Sequence, residues 1–233
     1  MRLAILALVY LMCAADQLTT QKPVPASHLS LPREPKPNLG QLKPQLIAYH
    51  DCSRKDCYEP EIGRQCDRAV RFLTHRAKTA KPGTRLALIL DIDETALSNW
   101  EYETKEQFAY FPKEFDEWVK ERKAPAIPGV LRLYKEARKL GVAVFFMTGR
   151  TEAQRDDTSR NLVAVGFDQW EGLVMRPEGA TLSTIAFRSV ERQKVIEKGY
   201  QIVLSVGDQM SDLLGDHQAE MSIKLPNPFY YLP

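Results

Sequence analysis

The sequence predicts a doubly wound, Rossmann-like α/β fold. A parallel sheet is flanked by helices, with N-terminal helices before it and a small helical insert after the first core strand. Three observations predict this. Residues 86–90 and 142–147 are apolar throughout rather than alternately, and 202–206 are apolar but for Ser205, as parallel strands covered on both faces are. Helical stretches lie between them, with Pro at one start and Gly just past the ends, the usual helix asymmetry. Chemistry-bearing residues follow the apolar runs directly, where such sheets keep their ligands.

Taken in order, Arg2, the apolar run 3–12 and Cys13-Ala14-Ala15 read as a secretory signal over residues 1–15. Ten apolar residues fall short of the roughly 20 that span a membrane. Cleavage after Ala15 would expose Asp16; lipid anchoring at Cys13 is the rival, weakened by the bulk of Met12. Residues 16–40 carry Pro23, Pro25, Pro32, Pro35 and Pro37 and read as an extended segment. The main domain is expected over 41–233. Leu42, Leu46 and Tyr49 mark a first helix; Cys66, Val70, Phe72 and Leu73 mark a second, closed by Pro82-Gly83. After the 86–90 strand, residues 98–127 hold seven of the chain's nine Phe, nine Tyr and three Trp, and read as a helical cap over the strand ends. A helix from Pro128 to Leu140-Gly141 precedes the 142–147 strand. A capping box at Thr151 and Gln154 opens the next, which stops near Gly166. Residues 172–175 and 221–225 are weaker strands, and a further helix ends at Lys198-Gly199 ahead of the 202–206 strand.

The 233 residues are 44% hydrophobic and 27% charged, which argues against wholesale disorder. A net charge of +2 gives no reason to expect a nucleic acid polymer as partner. Loss of the signal leaves Cys52, Cys57 and Cys66. Export favours one disulfide among them with one thiol over, and their spacing matches no common zinc pattern.

The first strand runs into Asp91-Ile92-Asp93-Glu94-Thr95. A bare D-x-D means little, but two carboxylates at the open end of an apolar strand lie where α/β enzymes work. Two other strand ends match it: Met147 leads to Thr148-Gly149-Arg150, and Val206 to Gly207-Asp208-Gln209-Met210-Ser211-Asp212. Between them a helix carries Arg188, Arg192 and Lys194. These fragments, D-I-D-E-T, F-F-M-T-G-R, R-S-V-E-R…G-Y and G-D-Q-M-S-D, resemble the haloacid-dehalogenase-like superfamily. Within it they are similar to the class B (subfamily IIIB) acid phosphatases, which include plant vegetative storage proteins and exported bacterial phosphatases. The segment 38–51 resembles the N-terminal region of the bacterial members.

The resemblance implies an Mg2+-dependent phosphatase for small phosphate monoesters. Asp91 would be the nucleophile and Asp93 the general acid and base. Asp91, Asp208 and the main-chain carbonyl of Asp93 would hold Mg2+, with Asp212 in the second sphere. Thr148, Gly149 and Arg188 would bind phosphate. The chain departs from the family at Arg188, where Lys is usual. Arg keeps the charge and forks onto oxygens; Lys194 is the alternative cation. Trp100 either stacks on a flat leaving group or packs the cap, and Arg150 either touches substrate or pins the cap. A storage-type homologue with impaired catalysis, or a phosphotransferase or nucleotidase of narrow range, is the alternative reading. The location expected is periplasmic or extracellular; oligomeric state is not encoded legibly.

Overall fold

The computed structural model describes residues 37–232. The signal-like segment and most of the Pro-rich run therefore lie outside the described residues. Helix α1 spans Leu39–Asp51 and α2 spans Tyr58–Lys78. The extended reading to residue 40 is overtaken because Asn38 caps α1: its side chain accepts from the Gln41 amide, and Gln41 answers in a capping box. A Cys52–Cys57 disulfide closes the loop between the two helices. Among the described residues Cys66 is the remaining thiol, buried in α2 and pushed up to about 12 by burial, so it is inert as a nucleophile.

The sheet is β1 (Arg85–Leu90), β2 (Ala143–Thr151), β3 (Gly172–Arg176), β4 (Tyr200–Gly207) and β5 (Met221–Lys224). All pairs are parallel and the order is β3-β2-β1-β4-β5. The insert carries α3 (Trp100–Lys105) and α4 (Pro112–Glu121). The crossover helices are α5 (Pro128–Lys139), α6 (Arg155–Ala164) and α7 (Thr184–Glu197). A short α8 (Met210–Leu213) follows β4.

The continuous hydrophobicity of β1 divides between two cores. Leu86, Leu88 and Leu90 join Ile62 and Leu73 of α2 and Val130 and Leu133 of α5. Ala87 and Ile89 face the other way, with Val195 of α7 and Tyr200. Strand β2 divides likewise, Val144 and Phe146 against Phe145 and Met147. It also runs past the expected end at Met147 to Thr151, with its pairing to β3 interrupted between those two residues. The insert leaves and rejoins the domain at a narrow neck. The Ser98 amide donates to the Pro125 carbonyl at 2.9 Å and that of Ile127 to Ala96 at 3.0 Å. No helix among the described residues is long and apolar enough to cross a membrane.

Candidate active site

The strand order reverses between β1 and β4, and at such a switch point an α/β sheet opens a crevice beyond its carboxyl ends. Asp91 follows β1 and Asp208 follows β4. The two strands pair to their ends after a register shift between Ala87 and Leu88, and the Asp91 amide donates to the Val206 carbonyl at 3.0 Å. One turn of α8 then brings Asp212 back to the same point. Gly207 makes this approach possible, because a Cβ there would lie 2.5 Å from the Asp212 carboxylate. One carboxylate oxygen from each of Asp91, Asp208 and Asp212 lies within 4.8 Å of the other two, and all three residues are buried. Asp212, expected in the second sphere, is a full member of this cluster.

Arg188 enters from α7 and is 3% exposed. One Nη donates to Asp91 Oδ1 and to Asp212 Oδ1, both at 2.6 Å, and the other to the Met147 carbonyl at 2.5 Å. Its Nε is buried without a partner among the described residues. Lys194 lies on the outer face of the same helix, paired with Glu191. Arg188 is thus the helix's cation at the cluster. Arg192 is also buried, but it donates to the Asp212, Leu214 and Asp216 carbonyls and ties down the loop after α8.

Asp93 points away from the cluster. Arg150, itself buried, donates to Asp93 Oδ1 at 2.7 and 3.0 Å, and Asn99 Nδ2 donates to the same oxygen at 2.8 Å. Oδ2 receives only the longer 3.2 Å bond from Arg150 and is the less engaged oxygen. Arg150 therefore pins the general-acid candidate, and it also reaches the insert, with Nη2 3.4 Å from Asn99 Oδ1 and its guanidinium carbon 5.7 Å from the Phe115 ring centroid. Gly149 borders the cavity. Thr148, expected on the phosphate, is fully buried, does not border the cavity, and accepts the Arg150 amide at 3.1 Å. Trp100 stacks on His50, ring centroids 3.6 Å apart, and also meets Phe108 and Phe229. It packs the cap and does not border the cavity.

Asn99, Asn227 and Tyr230 escaped the sequence reading. Glu94, held at a left-handed φ of 50°, accepts the Asn99 amide at 2.6 Å, Asn99 Nδ2 at 3.0 Å and the Tyr230 hydroxyl at 3.0 Å. Trp118 donates to Asn99 Oδ1 at 2.8 Å. One network thus joins the D-x-D loop, the insert and the chain's C-terminal segment. That segment also holds Asp208, whose Oδ2 accepts from Asn227 and Gln209, both at 2.7 Å. Thr95 donates to Oδ1 of Asp208 at 3.2 Å. Partners behind ligating groups typically matter roughly 10–100-fold. Asn227→Ala is accordingly expected to weaken divalent-cation binding at the cluster by about that factor. An Mg2+ titration of both proteins checks this, and an unchanged midpoint would rule the role out.

The carboxylates are costly to ionise together. Burial first, and then the charge of Asp212, push Asp91 well above its ordinary value against the pull of Arg188. Burial and Asp212 likewise push Asp208 up to about 7. Arg188 pairs with two of the three buried carboxylates and the third has only neutral partners, so the cluster ionised in full would carry excess negative charge. An all-oxygen donor set of this kind suits Mg2+, which takes one or two carboxylates and keeps water and phosphate oxygens besides. The residues fit the ion.

The cluster opens into a cavity of about 910 Å³. The insert supplies part of its wall through Glu103, Phe108, Tyr110 and Phe115, and the C-terminal segment another part through Tyr230 and Tyr231. Burial, followed by the charge of Asp93, pushes the Glu103 carboxyl up to about 7. Its folded value lies above its ordinary one, so the folded chain holds this proton more tightly than the unfolded chain. The associated stability is complete below pH 4.5 and is lost as pH rises to about 7. Glu103→Gln is expected to flatten that fall, gaining roughly 1–3 kcal/mol on the wild type at pH 7 and little at pH 4. Melting curves across this range read the difference. A constant offset at every pH would refute it.

Comparison with known proteins agrees with this geometry. The family model described as HAD superfamily, subfamily IIIB (Acid phosphatase) matches residues 44–233. Acid phosphatase 1 of Solanum lycopersicum is 40% identical over 183 residues, 75% of this chain and 69% of that one. A stem 31 kDa glycoprotein of Glycine max is 40% identical over 151 residues, 62% of this chain and 59% of that one. Vegetative storage protein 1 of Arabidopsis thaliana is 34% identical over 149 residues, 62% of this chain and 55% of that one. The chain thus spans a little over two thirds of the tomato protein and less of the other two. The class C acid phosphatase from Bacillus anthracis, solved with tungstate bound, superposes with a TM-score of 0.66. The match is 22% identical and covers 82% of this chain and 87% of that one, a likeness of fold.

Proposed function

The chain belongs to the acid phosphatases of HAD superfamily subfamily IIIB, phosphoric monoester hydrolases, and from that premise we propose an exported, Mg2+-dependent enzyme that works through a phospho-aspartate at Asp91. The observation that carries the reading is the Asp91, Asp208 and Asp212 cluster, held by Arg188 at the switch point of the sheet.

Phosphate monoesters hydrolyse extremely slowly in water, so the site must supply a nucleophile and stabilise charge on the transferring group. Asp91 attacks phosphorus, the bond to the leaving oxygen breaks, and an acyl phosphate forms, dividing one hard step into two. Asp93 gives its proton to the departing alkoxide. It then takes a proton from the water that attacks the acyl phosphate, releasing inorganic phosphate and restoring Asp91. Arg150 and Asn99 hold Asp93 in place for both transfers. Arg188 neutralises phosphate oxygens and offers a better fork than Lys, with the Gly149 amide beside it. Thr148 braces the turn behind Gly149. Mg2+, held by Asp91, Asp208 and the Asp93 main-chain carbonyl with Asp212 alongside, supplies further positive charge on those oxygens when bound.

The test is release of p-nitrophenol from p-nitrophenyl phosphate between acidic and neutral pH, with Mg2+ and with EDTA. The expected result is an acid-favoured rate that EDTA abolishes and Mg2+ restores. A rate indifferent to EDTA would remove the metal from the account. For export, N-terminal sequencing of protein recovered outside the cytoplasm should begin at Asp16; an intact Met1 would refute cleavage.

A further inference from the structure

We propose that Glu103 selects the leaving group, and that the preferred substrates are phosphate monoesters whose alcohol carries a primary ammonium group. The inference rests on the phosphatase reading above and names its substrate class.

Glu103 stands on α3 in the insert, borders the same cavity as Asp91 and Asp93, and is 7% exposed. Every other buried carboxylate of the site has partners. Arg188 serves Asp91 and Asp212; Gln209 and Asn227 serve Asp208; Asn99 and Tyr230 serve Glu94. The Glu103 carboxylate has none among the described residues. Buried acidic side chains are ordinarily paired, so a carboxylate left open to a ligand cavity is a group awaiting a partner.

The cations bordering the cavity are already engaged. Arg150 holds Asp93, Arg188 holds Asp91 and Asp212, Arg176 donates to the Leu182 carbonyl, and Lys120 pairs with Glu117. None of these cations contacts Glu103 among the described residues, so a cation able to hold it ionised has to arrive with the ligand. Phe108, Tyr110 and Phe115 line the same wall, and aromatic faces attract cations. An ammonium offers three donors to a carboxylate and favours the ionised form that burial opposes. An anionic leaving group would oppose that ionisation, and a hydroxyl would do nothing to offset burial, so with either one Glu103 keeps its proton through the acidic range.

The experiment compares O-phosphoethanolamine and 3-aminopropyl phosphate with ethyl and propyl phosphate, their uncharged counterparts, on the wild type and on Glu103→Gln. A charge-assisted hydrogen bond predicts a wild-type kcat/KM ratio of roughly ten or more in favour of the amines, carried mainly by KM. In Glu103→Gln the ratio should fall towards one whatever the absolute rates. Equal or inverted wild-type ratios, or a preference that survives Glu103→Gln, would overturn the proposal. Competition binding of the same four esters to Asp91→Asn separates this result from the mechanism. Amine-selective binding to Asp91→Asn, with a wild type that hydrolyses none of the four esters, upholds the role of Glu103 and sinks the phosphatase reading. Unselective binding to a chain whose wild type hydrolyses sinks the proposal alone.

Discussion

Asp91→Asn is expected to abolish turnover of p-nitrophenyl phosphate, lowering kcat/KM by roughly 10^4-fold or more, as loss of a nucleophile does in enzymes with covalent intermediates. Asn keeps the shape of Asp91 and its contact surface but cannot form the acyl phosphate. The fold should not suffer. Burial and Asp212 hold the Asp91 carboxyl well above its ordinary value, so at neutral pH its ionised form costs the folded state stability. Removing that charge should leave a protein that melts no lower than the wild type in metal-free buffer. Inactivity with an undiminished melting temperature is the signature of a lost nucleophile. A variant retaining a tenth of wild-type activity would mean that another group attacks phosphorus.

The second large effect is expected at Arg188. It alone compensates Asp91 and Asp212 directly and is fully buried beside them. Arg188→Ala leaves both carboxylates without their cation, and breaking a buried pair in this way typically costs about 3–5 kcal/mol. Activity should fall by roughly 10^2–10^3-fold, the scale of losing one preorganised group that stabilises developing charge. Arg188→Lys keeps the charge but not the fork that reaches Asp91, Asp212 and the Met147 carbonyl together. It should fold near normally and work at an intermediate rate. Lys194→Ala, by contrast, removes an exposed pair with Glu191 and should change little, since such pairs are worth at most about 1 kcal/mol. Thermal melting and kcat on the three variants read this order, and damage from Lys194→Ala exceeding that from Arg188→Ala would reverse the assignment.

The sheet was legible because a parallel strand covered on both faces must be apolar at every position, as β1 is in separating Leu88 from Ile89 into two cores. The ends of β1 and β4 were legible for the same reason: carboxylates can follow such a run only where it opens. Helix α7 was half legible. Arg188 and Arg192 are four residues apart and share its buried side, whereas Lys194, six on from Arg188, falls on the outer face. The rest could not be read, because it depends on contacts between distant parts of the chain. Tyr230 reaches Glu94 across 136 positions and Arg150 reaches Asp93 across 57. Neither pairing leaves a periodic or compositional trace, and a Tyr or Asn near a chain's end reads as ordinary surface. Thr148 was misplaced for a local reason: β2 continues beyond Met147, so its side chain is buried within the strand instead of lying in a loop over it.

The most direct test of the central claim is to find where the phosphoryl group goes. Wild-type protein mixed with p-nitrophenyl phosphate and Mg2+, then quenched in acid within one turnover and digested, should yield the peptide bearing Asp91 with one added phosphoryl group. That peptide should be unmodified in Asp91→Asn. Full turnover with no phosphorylated peptide, or with the group on a residue other than Asp91, would contradict the account.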